Sequence, residues 1–160
     1  MGDSRLLHEG LMSFSIGYSG LHFFIESEFS EGQRGYSVDD EGKSLVGKDE
    51  GDRQVGWKVI GYEESCGDPI FVDTDLEGIP VFTAIHGMGD WTPVQIADSF
   101  EAFKKNLKIV LEISVGRENP VMLERNPIGE SERKNALGEI RQLNPRSDTE
   151  FWELLLRPIE

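Results

Sequence analysis

Trp57-Lys58-Val59-Ile60-Gly61-Tyr62, Pro69-Ile70-Phe71-Val72-Asp73 and Pro80-Val81-Phe82-Thr83-Ala84-Ile85-His86 follow one another closely in the chain. Each is a short run of β-branched and aromatic residues bounded by Gly, Asp or Glu, the pattern of a strand between turns. The first alternates apolar and polar residues only partly. Because the links are a few residues long, the strands are expected to pair antiparallel as a meander. Upstream, Ser13 to Phe29 mixes aromatics and glycines, and Leu21-His22-Phe23-Phe24-Ile25 reads as a further strand entering the core.

Downstream the periodicity changes. Asp98-Ser99-Phe100-Glu101 predicts a helix start, with Asp98 as the capping acid and Glu101 three residues on. Phe100, Phe103, Leu107, Val110 and Leu111 recur at helical spacing and define one apolar stripe, while Lys104, Lys105 and Lys108 fall on other faces. Ser131 to Leu143 reads as a second helix with Leu137, Ile140 and Ala136 on one side. Ser147-Asp148-Thr149-Glu150 repeats the capping pattern before Phe151, Trp152, Leu154, Leu155 and Leu156, and Arg157-Pro158 ends that helix. A sheet followed by helices predicts an α+β fold. The 160 residues form one domain, large enough to need no disulfide or metal staple. Between strand signals, Ser30 to Gly56 is rich in Gly, Asp, Glu and Ser and reads as exposed loops.

Charge narrows the function classes. Thirty acids against sixteen bases give a net charge of −14, which disfavours nucleic-acid binding, since phosphates are gripped by lysine and arginine. From Val59 to Phe103 there are nine acids and not one lysine or arginine, whereas the stretch after Ile113 has nine acids and seven bases. Solubility alone gives no reason to exclude every base from such a stretch; a surface that attracts a cationic partner does. No run approaches the roughly 20 apolar residues of a membrane helix, no signal peptide is evident, and Cys66 is the single cysteine, so a cytoplasmic location is expected.

Catalytic motifs are weak. Asp73-Thr74-Asp75-Leu76-Glu77-Gly78 opens like a calcium loop, but the position needing a bidentate glutamate is Ala84, so a turn between strands is the better account. Gly17-Tyr18-Ser19-Gly20 is too short for a nucleophile elbow. Cys66 with His86 is the one nucleophile and base combination, and nothing in the sequence brings them together. In His86-Gly87-Met88-Gly89-Asp90-Trp91, a histidine bonded to a glycine turn with Trp91 packed on the sheet edge is preferred to a ligand site. Glu63-Glu64 would serve acid–base work only if buried, and their neighbours suggest solvation. No catalytic residue, cofactor or metal is expected.

The strings combine into a larger pattern: Trp57, Val59-Ile60-Gly61, Gly67-Asp68-Pro69-Ile70-Phe71-Val72-Asp73, Pro80-Val81-Phe82-Thr83-Ala84-Ile85-His86-Gly87, Trp91, and Ile96-Ala97-Asp98-Ser99-Phe100-Glu101-Ala102-Phe103. In order and spacing this resembles the SUKH superfamily, which includes the Smi/Knr cell-wall regulators and bacterial immunity proteins. Trp57, Gly67, His86, Gly87, Trp91, Phe100 and Phe103 carry the resemblance as structural residues. Met1 to Gly20 matches the family's opening helix poorly, so that helix is expected to be shortened, diverged or missing. The resemblance implies a curved, mostly antiparallel sheet flanked by helices, and a non-enzymatic protein. Such a protein would neutralise a cognate toxin, often a nuclease, or act as an intracellular scaffold in cell-wall synthesis or signalling. Strand ends and turns are normally exposed, so Glu63, Glu64, Asp68, Asp75, Glu77 and Asp90 are the expected acidic face for a cationic toxin.

Overall fold

The computed structural model describes residues 11–28, 33, 56–84 and 92–157. Six strands, β1 (Phe14–Ile16), β2 (Ser19–Phe23), β3 (Trp57–Glu63), β4 (Pro69–Asp73), β5 (Val81–Thr83) and β6 (Val94–Ala97), are followed by four helices. These are α1 (Phe100–Ser114), α2 (Pro120–Arg125), α3 (Glu130–Leu143) and α4 (Glu150–Leu155). The strands lie in the sheet in chain order, each antiparallel to the next, so the expected meander forms and the domain is α+β with a curled, half-barrel sheet.

The incomplete alternation in Trp57–Tyr62 has a physical origin. Val59 pairs with Phe71 and Gly61 with Ile70, so β3 carries a bulge with Ile60 as the extra residue. A bulge shifts the side-chain parity by one. Before it, Trp57 and Val59 point to the outer face; after it, Tyr62 does, and Glu63 falls opposite Leu21 on the core face. Gly61 is required there, because a Cβ at this position would sit against the carbonyl oxygen of His22.

The alternation gives the sheet two apolar faces. Phe14, Leu21, Phe23, Ile60, Ile70, Val72, Val81 and Ile96 join the helices in the main core. Trp57, Val59 and Phe71 form a second cluster with Phe24 and Ala84 on the other side, where the Gln33 side chain donates to the Val59 carbonyl and accepts from its amide. The α1 stripe lies as the spacing requires: Phe100, Phe103, Leu107 and Val110 are buried, and Leu111 packs at the margin. Ala136, Leu137 and Ile140 of α3 are buried likewise.

Several local expectations change. Ser99, not Asp98, caps α1, its hydroxyl accepting from the amide of Ala102. Asp98 instead anchors the loop between α3 and α4. The upstream strand covers Ser19–Phe23 and leaves Phe24 and Ile25 beyond its end. The strand expected over Pro80–His86 is shorter, Val81–Thr83. At α4, Thr149 supplies no side-chain cap, and Asp148 Oδ1 accepts from the amide of Glu150. Strands β1 and β6 and helix α2 were not expected; α2 begins at Pro120 behind Asn119, whose Oδ1 accepts from the amide of Met122. His86, Gly87, Asp90, Trp91 and the loop-rich segment before Gly56, except Gln33, lie outside the described residues.

The β6 edge is covered rather than open. Trp152 of α4 is fully buried and its Nε1 donates to the Ile96 carbonyl, while the amide of Asp148 donates to the carbonyl of Gln95. An edge occupied this way offers little template for pairing with another chain.

Candidate functional site

A meander places successive turns at opposite ends of its strands. The β3–β4 turn therefore carries Glu63, Glu64 and Asp68 at one end of the sheet, and the β4–β5 turn carries Asp73, Asp75 and Glu77 at the other. The five residues of β4 separate them by roughly 13 Å. The expected single acidic face is thus two separate acidic ends, and Asp90 lies outside the described residues.

Glu63 is a correction of a different kind. It is only 8 % exposed, because the β3 bulge turns it to the core side. Its carboxylate accepts from the Ser65 amide at 2.8 Å, the Ser65 hydroxyl at 2.6 Å and the Cys66 amide at 3.0 Å, and from Cys66 Sγ at 3.2 Å. With its oxygens used in this way, Glu63 holds the turn. Gly67 completes it at φ +78°, a conformation that disfavours any side chain.

Glu64 is exposed, yet its Oε2 accepts from Ser15 Oγ at 3.2 Å across the sheet. Asp68 is half-buried. At the other end Asp75 and Glu77 are exposed and, among the described residues, neither has an ion-pair partner. Their turn is tightly held: the Asp75 amide donates to Asp73 Oδ1, Ile79 is fixed at φ +53° with its amide on the Leu76 carbonyl, and the Phe100 amide donates to the Gly78 carbonyl. A β-branched residue in the left-handed region persists only where its surroundings impose it, so this tip presents its carboxylates from a rigid backbone. The segment Asp73–Gly78 is a turn between strands, and among the described residues no group of His, Cys, Asp and Glu is placed to hold a metal ion.

A cleft of about 390 Å³ opens at the end of the sheet that carries the β3–β4 turn. Its origin is visible strand by strand. On the core face the first position of β2, the last positions of β3 and β5 and the first of β6 are Ser19, Glu63, Thr83 and Val94, and all four line the cleft. The short helix α4 closes over them only in part, adding Phe151, Leu154 and Leu155. Leu154 is 52 % and Val94 41 % exposed, large values for apolar residues beside a core. Asp68, Glu150, Cys66, Ser65 and Arg157 also line it.

Cys66 is a poor nucleophile in this setting. Desolvation, with the neighbouring Glu63 and Asp68 carboxylates, pushes its thiol up to about 11, although its side chain reaches the surface. A reactive cysteine needs cationic surroundings, and these are anionic. His86, the base paired with it in the sequence reading, lies outside the described residues. Of the residues taken as structural, Trp57 stacks near Phe71 with ring centroids 4.9 Å apart, and Phe103 lies 5.8 Å from Trp152. Phe100 and Phe103 are core.

Sequence reasoning missed Val94, Glu150, Phe151 and Leu154 as neighbours of the β3–β4 turn. The signal was faint: Leu154 stands among four apolar residues of α4 and only the packing decides which one faces out.

No family model matches the chain, no curated protein is significantly similar to it, and no solved structure matches it. Among the described residues no helix is long and apolar enough to cross a membrane.

Proposed function

We propose that this protein is a non-enzymatic binding protein of the immunity type, which neutralises a cognate cationic toxin, of the nuclease class, by stoichiometric association. The sequence resemblance to the SUKH pattern supports this reading. The observation that carries it is the rigid β4–β5 tip, where Asp75 and Glu77 are exposed and, among the described residues, have no ion-pair partner, inside a stretch devoid of lysine and arginine.

The physical argument is one of field and competition. A nuclease is cationic where it grips phosphate. Unpaired carboxylates on a rigid support attract such a surface over about a Debye length, roughly 8–10 Å at physiological salt, and raise the association rate more than the affinity. Occupation of the phosphate site by the inhibitor then excludes nucleic acid.

The test is a binding measurement against the product of the gene adjacent to the one encoding this chain, which the reading expects to be a toxin. Nanomolar association that weakens with salt is expected, with loss of toxin activity at a one-to-one ratio. Absence of association with that product at low salt overturns the reading.

A further inference from the structure

We infer that the cleft between the β3–β4 turn and α4 seats a loop segment of the partner protein that presents an arginine beside an apolar residue. This deepens the binding reading and rests on it, because it names the anchoring contact rather than the steering charge. The occupant follows from the lining. The lining is mostly apolar, with Val94 and Leu154 left exposed and Phe151 half-buried where the core-facing row of the sheet runs out. Asp68 and Glu150 line the same cleft, and Glu150 is exposed and has no ion-pair partner among the described residues.

A mostly apolar lining that also carries carboxylates matches the arginine side chain, whose methylene stem covers apolar surface while its planar guanidinium meets carboxylates and aromatic faces. A wholly apolar segment would leave Glu150, which has no ion-pair partner among the described residues, beside a dry contact, at the penalty of desolvating its charge. An acidic segment would be repelled. The volume, about 390 Å³, falls within the range of pockets that enclose more than a single side chain, so an apolar neighbour of the arginine fills the rest. Arg157 on the wall sets a limit on how many positive charges the cleft accepts.

Titration of the full chain with the peptide acetyl-Gly-Leu-Arg-Gly-amide, followed by amide chemical shifts, tests this directly. Saturable shifts are expected at Ser65, Cys66, Phe151 and Leu154, with affinity about fivefold lower for the citrulline analogue, which keeps the shape and removes the charge. Leu154→Ser and Glu150→Lys should each abolish saturation while leaving the far-ultraviolet circular dichroism unchanged, since both side chains are exposed. Shifts confined to the β4–β5 tip, equal binding of arginine and citrulline peptides, or no saturation overturn the inference. Because no toxin is present, such a failure leaves the steering role of Asp75 and Glu77 intact. Failure of the toxin measurement would conversely leave a peptide-binding cleft in place.

Discussion

The hydroxyl of Ser147 donates to Asp98 Oδ1 at 2.6 Å, joining residues 49 positions apart in the chain. The same carboxylate accepts from the Arg146 amide at 3.1 Å, and the Asp98 amide donates to Asn144 Oδ1 at 3.0 Å. Asn144 in turn donates to Asn106 Oδ1 of α1 at 2.8 Å, so one polar chain ties β6, α1 and the loop after α3. Asp98 is thus a tertiary fastener, where its sequence position suggested a local cap.

That assignment has a measurable consequence. Asp98→Ala should lower the unfolding free energy by about 2–3 kcal/mol, as expected when several partners of a half-buried carboxylate are orphaned. Ser99→Ala removes only a cap and should lower it by about 1 kcal/mol. Urea denaturation of the two variants ranks them, and a larger loss at Ser99 would return Asp98 to a minor role.

Gly61→Ala probes the β3 bulge. The new methyl would meet the carbonyl of His22, a backbone atom that has little room to retreat. A loss of about 1–3 kcal/mol is expected from this overpacking, together with changed amide shifts on β2. A variant as stable as the parent would show that the strand pair has slack at this point.

Glu63 and the Asp75–Glu77 pair should separate cleanly in kinetics. Glu63→Gln loosens the β3–β4 turn and should lower stability with the toxin association rate within about twofold of the parent. Asp75→Lys combined with Glu77→Lys should slow association about tenfold at low salt and flatten its salt dependence, with stability nearly unchanged. Stopped-flow association at several salt concentrations reads both. Equal rates for all variants would remove the steering role.

Cys66 supplies a pH test. With the thiol pushed up to about 11 from an ordinary 9, the folded protein holds this proton where the unfolded chain has begun to release it. The unfolded state then binds fewer protons between those values, so the contribution to stability is full below pH 9 and is lost as pH rises towards 11. At pH 8 the thiolate fraction should be about a hundredfold below that of an ordinary cysteine, and iodoacetamide should react correspondingly slowly. Glu63→Gln should speed the reaction. A native alkylation profile with its midpoint near 9 would show that neither burial nor the carboxylates hold the thiol up.

How far the site could be read from the chain differs between its parts. The β4–β5 turn was legible, because Asp73 to Gly78 is polar, short and flanked by apolar runs, and turn residues act locally. Helix α2 was legible in principle from Asn119-Pro120, a cap followed by the residue best suited to a first helical turn. Glu63 was not legible: a bulge leaves no composition signal beyond a broken alternation, and one extra residue reverses which face every later side chain takes. The cleft was hidden for a related reason, since Val94 and Leu154 become neighbours of the β3–β4 turn only once six strands and a short helix are assembled.

By itself the sequence determined the α+β order, the strand cores Pro69–Asp73 and Trp57–Tyr62, the amphipathic stripes of α1 and α3, and the base-free stretch, because these depend on neighbours within a turn or two of chain. Only the tertiary structure decided that the acids divide between two ends of the sheet, that Glu63 turns inward and that Asp98 reaches Ser147. Strand register, bulge parity and the docking of a short helix are set by long-range pairing, and side chains distant in sequence carry no local mark of where that pairing will place them.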